Sequence, residues 1–162
     1  MNFMDTNNSI SPDDISLSYT TMLYAQNDEG GWEEIYRLSA DQNRIEVSLD
    51  EVPDYVQQAF VASEDKRFWE HDGVDWFRTA SVSISAVLNA SLDGAGGSTI
   101  TQQLIKNVTS DDDVTPVRKL REIFRALQLE RDYTKDEILE AYLNIIFLGG
   151  RVYGIEAASQ QY

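Results

Sequence analysis

Residues 96–107 read GGSTITQQLIKN, and the fold turns on how this stretch is taken. Thr99 followed by Gln102 is the reciprocal pattern that closes the first turn of a helix, so the spacing predicts a helix over TITQQLIKN. The paired glycines just before it let a backbone wrap closely around an anionic or sugar ligand. Gln102, Gln103, Lys106 and Asn107 add donors suited to sugar hydroxyls and phosphates. A glycine loop before a helix is also simply how many helices begin, so the stretch needs its neighbours.

Upstream, residues 63–76 read SEDKRFWEHDGVDW, with five carboxylates beside Phe68, Trp69 and Trp76. Val52, Tyr55, Val56, Ala59 and Phe60 follow helical spacing with Pro53 in the first turn, which puts Glu64 at the end of that helix. A carboxylate beside Phe68 and Trp69 is open to partial desolvation, which raises its pKa and prepares it as a base near neutral pH. The lone His71 reads first as a structural hydrogen-bonder. Asp65, Glu70 and Asp72 suit caps, turns or ion pairs, and Asp75 suits the N-cap of a helix running to about Asn89. Before Val52 the composition is β-like. ISLSYTTMLY (15–24) and WEEIYRLS (32–39) flank the turn signal NDEGG, RIEVSL follows as a third short β segment, and residues 1–14 form a loose end.

Downstream, DGAGG (93–97) is a loop and TSDDDVT (109–115) interrupts the pattern. Thr115 then caps a helix with Pro116 at its first position, and Val117, Leu120, Ile123, Phe124 and Leu127 form its expected buried stripe. On that helix RKLRE (118–122) places Arg118 four residues, and Lys119 three residues, before Glu122. One reading is an exposed ion-pair ladder. The other is a diphosphate clamp of an Arg fork and a Lys point charge. Thr134 with Glu137 opens a further helix, KDEILEAYLNII, which LGG (148–150) ends, and Gly154 through Gln161 suits one more short helix.

The 162 residues are 42% hydrophobic, enough for one folded domain. A net charge of −15, from 28 acids against 13 bases, argues against nucleic acid as a partner. Residues 1–60 hold 12 acids and 2 bases, and residues 61–162 hold 16 acids and 11 bases, so an anionic ligand belongs with the second part. The absence of cysteine excludes a disulfide, a zinc–thiolate site and a thiol nucleophile. No apolar run approaches the roughly 18–20 residues that span a bilayer and no signal peptide precedes the fold, so the chain as given is expected to be soluble.

Taken in order, EDKRFWEHDGVD (64–75), GGSTITQQLIKN (96–107), RKLRE (118–122), KDEILEAYLN (135–144) and GRVYGIEAASQQY (150–162) resemble the five motifs of the peptidoglycan glycosyltransferase domain, glycosyltransferase family 51, of class A penicillin-binding proteins and monofunctional transglycosylases. The resemblance covers about residues 50–162, and the second motif is its most specific part. It departs at Arg151, where a small residue is usual. It implies a mainly α, lysozyme-like two-lobed fold with a small N-terminal β-rich segment. The domain would span 15–162, with the β-rich segment at 15–50, the helical catalytic part at 51–162, and further helices expected beyond Tyr162. The implied reaction polymerises lipid II into β-1,4-linked glycan strands, with inversion, at the extracytoplasmic face of the bacterial cell membrane. By position, Glu64 would be the general base for the acceptor 4-hydroxyl. Glu122 would assist at the donor diphosphate, directly or through a divalent cation, Mg²⁺ or Mn²⁺, and no organic cofactor is implied. Lys106, Arg118 and Lys119 would bind phosphate, while Ser98, Thr99, Gln102 and Gln103 would line the cleft, with Asn107 and Arg151 as further substrate contacts. Glu140 and Asn144 would be mainly structural. The implied partners are lipid II, the growing strand, the membrane surface through the lipid, a moenomycin-type inhibitor and other cell-wall synthesis proteins. Two rivals stand beside this reading: a lysozyme-like glycan hydrolase, which has no diphosphate to bind, and a non-catalytic module that binds lipid II or glycan.

Overall fold

The computed structural model describes residues 21–27, 29–38, 42–81, 97–109 and 115–162. The loose end at 1–14, the start of the first strand, the part beyond residue 81 of the helix expected from Asp75 to about Asn89, most of the DGAGG loop and the acidic run at 110–114 lie outside the described residues.

Strands β1 (Thr21–Gln26) and β2 (Trp32–Leu38) form an antiparallel hairpin in which Thr21 faces Leu38 and Gln26 faces Trp32. Asn27 builds its turn by accepting from the Glu29 and Gly31 N–H groups, with Gly30 at φ 85°. Leu23, Tyr24, Trp32, Ile35 and Tyr36 are exposed, so the hairpin adds nothing to the core among the described residues. The third β segment is shorter than expected. Only β3 (Asn43–Arg44) is paired, parallel to β5 (Val152–Tyr153), which runs antiparallel to β4 (Phe147–Gly149). Side chains end the ladder: the Val47 N–H donates to Asn144 Oδ1 and the Leu49 N–H to Glu140 Oε2, so neither is left to pair with a strand.

The core is helical. α1 (Asp54–Glu64), α2 (Ile100–Thr109), α3 (Pro116–Asp132) and α4 (Lys135–Ile145) enclose Val61, Phe68, Ile100, Leu104, Leu129, Ile138, Leu139 and Tyr142. α5 (Ile155–Gln161) follows β5. The caps read from sequence are present. Thr99 and Gln102 exchange bonds at the start of α2, Thr115 accepts from the Arg118 N–H, and Thr134 and Glu137 form the box that opens α4. Each satisfies amides that a helix start leaves without partners.

Two expectations are corrected. α4 ends at Ile145, and LGG does more than stop it: Leu148 and Gly149 belong to β4, and Gly149 and Gly150, both at positive φ, turn the chain into β5. The stripe expected to be buried on α3 faces outward instead. Val117, Leu120 and Phe124 are exposed, Ile123 and Leu127 are only half-buried, and the buried residues are Glu122, Ala126 and Leu129 on the opposite face. The inward face is decided by contacts that periodicity does not register. Glu122 is enclosed by cations, and Ala126 is small enough for the Gly73 backbone to pack against; a Cβ on Gly73 would stand 2.6 Å from the Ala126 oxygen.

Candidate active site

Glu64 closes α1, and the turn after it is held from every side. The Glu64 carbonyl accepts from Arg78 at 2.5 Å. Asp65 is buried; its Oδ2 lies 2.9 Å from His71 Nε2 and accepts from the Ile100 N–H at 3.1 Å, which fastens the turn to the start of α2. The lone histidine is thus a hydrogen-bonding partner inside the fold. Lys135 donates to the His71 carbonyl and to Glu130, and lies over the Phe68 ring. Thr99 Oγ1 donates to the Gly73 carbonyl at 2.6 Å.

Asp75 is the N-cap expected of it, taking the Arg78 N–H at 2.8 Å and the Arg67 guanidinium through both oxygens. Burial pushes its carboxyl up, but the Arg78 amide and the Arg67 bond and charge outweigh that and hold it below its ordinary 3.8. Arg78 escaped the sequence reading altogether. Its signal was its place three residues after an N-cap, where its amide is fixed and its side chain can turn back toward α1.

The Glu64 side chain is partly buried and, among the described residues, accepts one bond, from Gln103 Nε2 at 3.0 Å. That donor is a neutral amide, and Gln103 Oε1 in turn lies 3.4 Å from the Tyr142 hydroxyl on α4. Glu122 has the opposite setting. It is buried in the middle of α3, with Oε2 2.7 Å from Arg118 and Oε1 bonded to Lys119. Lys119 also donates to Ser98 Oγ at 3.0 Å. The RKLRE pattern is therefore neither a fully exposed ladder nor an open clamp. Glu122 holds both cations, and their outer surfaces remain accessible, with side-chain exposures of 19% for Arg118 and 37% for Lys119.

The two settings share a mount. Gln103 on α2 touches Glu64, and Ser98, just before α2, touches Lys119, so the contacts lie only about one and a half turns of chain apart. Lys106 and Asn107 are exposed and stand three and four residues after Gln103, on the same face of α2. Thr99 and Gln102 are buried in the cap, so the outward positions of this motif belong to Ser98 and Gln103. Arg151 is exposed in the β4–β5 turn, where its carbonyl accepts from the Asn43 N–H; no hydrogen bond or ion pair among the described residues joins its side chain to the other site residues. A groove of about 330 Å³ beside Lys66 and Trp69, against α1, contains neither glutamate.

The residues at Glu122 do not fit a resident divalent cation. Both carboxylate oxygens are engaged by cations, and the described residues contain no group of three or more His, Cys, Asp or Glu side chains placed to share one ion.

The profile of the transglycosylase family matches residues 31–162. The chain is similar to penicillin-binding protein 1A/1B of Bacillus subtilis (strain 168), with 41% identity over 148 residues, covering 91% of this chain and 16% of that protein. It is 48% identical over 121 residues to penicillin-binding protein 1F of the same organism, covering 75% of this chain and 17% of that one. To penicillin-binding protein 1A of Escherichia coli (strain K12) it is 42% identical over 152 residues, covering 92% and 17%. The chain thus spans about a sixth of the length of these curated relatives.

Proposed function

The chain belongs to the transglycosylase family, and on that premise we propose that it polymerises lipid II into β-1,4-linked glycan by inverting transfer, with Glu64 as the general base. The observation that carries this reading is the separation of charge. Glu64 is held by a neutral amide and, among the described residues, keeps an oxygen without a hydrogen-bond partner, while Arg118 and Lys119 gather at Glu122. A sugar hydroxyl attacking an anomeric carbon needs a base on its own side, and a departing lipid diphosphate needs positive charge on the other.

In the proposed step Glu64 takes the proton from the acceptor 4-hydroxyl as its oxygen bonds to the donor anomeric carbon. The bond to the diphosphate oxygen breaks, and the lipid diphosphate leaves with the electron pair. Arg118, Lys119 and the exposed Lys106 stabilise its charge. Glu122 acts by fixing the two helix cations, so that their donors are in place before substrate arrives. The Mg²⁺ or Mn²⁺ that the resemblance allows at Glu122 takes no step. The cationic face also favours this reading over glycan hydrolysis, which releases no diphosphate. Among the described residues no helix is long and apolar enough to cross a membrane, and substrate contact with the membrane surface is proposed through the lipid.

The test is a gel assay of labelled lipid II with the wild type and Glu64→Gln, alongside binding of lipid II or a moenomycin-type inhibitor. Polymer from the wild type alone, with binding retained in the variant, is the expected result. Near-normal polymer from Glu64→Gln would sink the assignment of the base, and cleaved glycan in place of polymer would move the chain to the hydrolase reading.

A further inference from the structure

We propose that Tyr142 is a positioning residue for Glu64, acting through Gln103 by anchoring the amide whose donor end faces the carboxylate. This rests on the reading of Glu64 as the base. The two ends of a glutamine amide are nearly the same shape, and only the surrounding hydrogen bonds decide which one faces a given partner. Gln103 has one end against Glu64 Oε2 at 3.0 Å and the other against the Tyr142 hydroxyl at 3.4 Å. A carboxylate accepts and does not donate. The carboxylate therefore selects the NH₂ end, since the flipped amide would set oxygen against oxygen, and the Tyr142 hydroxyl, donating to Oε1, anchors the amide in that place.

Tyr142 is suited to this task by its place in the fold. Its side chain is fully buried in α4 and packed in the core, so the hydroxyl cannot swing out to solvent. Burial first, and the negative charge of Glu64 second, push the phenol above its ordinary 10, which keeps it a donor at any working pH. The other charged groups around Glu64 among the described residues do not replace the amide. Arg78, from the helical turn at 76–81, bonds to the Glu64 carbonyl, and the neighbouring Asp65 is turned into its own pair with His71 and the Ile100 N–H. α2 meets the carboxylate with neutral Gln103, the one side-chain donor to it among the described residues.

The consequence is a pH signature. A hydrogen bond to the charged form of a carboxyl lowers its pKa, so loosening the amide raises it and moves the acid limb of the rate profile to higher pH. The experiment compares kcat/KM for lipid II polymerisation from pH 5 to pH 9 in wild type, Tyr142→Phe, Gln103→Met and the double variant. Tyr142→Phe keeps the ring in the core and removes only the hydroxyl.

The acid limb should move to higher pH, so that the loss at the acid end exceeds the loss at the alkaline end several-fold. Gln103→Met should move it at least as far, and the double variant no further than Gln103→Met alone, because Tyr142 acts through the amide. Equal loss across the pH range in Tyr142→Phe, or additive shifts in the double variant, would overturn the proposal. Glu64→Gln, assayed beside them, separates the two levels. If it keeps turning over, the base assignment falls; if it is inactive while Tyr142→Phe leaves the limb in place, only the positioning role falls.

Discussion

Among the described residues, Glu64 closes α1 with a neutral amide on one oxygen and no hydrogen-bond partner on the other, whereas Glu122 lies buried in α3 with a cation on each oxygen. The two carboxylates are the same chemical group under opposite demands. One has kept the capacity to accept a proton. The other is committed to its neighbours, so removing it leaves Arg118 and Lys119 facing each other without their counter-ion. The contrast teaches that burial among opposite charges suits a carboxylate to holding its neighbours, while partial exposure beside a neutral donor is the setting proposed here for the base.

The contrast is sharpest in activity. Glu64→Gln is expected to cost about 10²–10⁴-fold in polymerisation, measured with labelled lipid II, while stability moves by no more than about 1 kcal/mol. Glu122→Gln should show the reverse emphasis, a loss near the low end of the roughly 3–5 kcal/mol expected for a buried pair that loses one partner, because solvent still reaches Lys119. Denaturant unfolding reads this directly, and a loss below about 1 kcal/mol would erase the contrast. Gly73→Ala tests the packing that ties the Glu64 loop to α3. The residue sits at φ 84°, and the new Cβ would press on the Ala126 carbonyl, so about 2 kcal/mol of destabilisation is expected in thermal melts.

The smallest effect separates the two sites by pH. Asp75 supports the Glu64 side through Arg67 and Arg78, and its folded-state pKa lies below the unfolded one. Its contribution is therefore present above the unfolded value near 4 and is lost as pH falls through the folded value. Stability measured down an acid series should decline there, and Asp75→Asn should flatten that part of the curve. An unchanged curve would detach Asp75 from the support of Glu64.

Much of the local structure was legible because it depends on near neighbours. The caps at Thr99, Thr115 and Thr134 and the N-cap at Asp75 each join residues three apart, and the order of the five motifs carried the family. The orientation of α3 was not legible. Its apolar side chains follow a clean helical period, but a buried ion cluster and a glycine contact compete for the same interior, and hydrophobic spacing cannot weigh them. LGG was legible as an end to α4 but not as part of a hairpin, because glycines at positive φ serve both. The partners of Glu64 come from α2 and the turn at 76–81, and the group that holds Gln103 comes from α4, so no window of sequence displays them together.

Asn144 binds both the N–H and the carbonyl of Val47, 97 positions earlier in the chain, and the β3–β5 ladder joins the same two stretches of chain. On a ribosome the stretch around Val47 emerges first and then waits for nearly the whole of the helical core before its partners exist. Closing so long a loop carries an entropy that grows slowly with length but is incurred before any contact returns it, and non-local closures of this kind fold slowly. The helices therefore have every opportunity to assemble first, and the band of chain at 43–49 is fastened across them as a late step of folding.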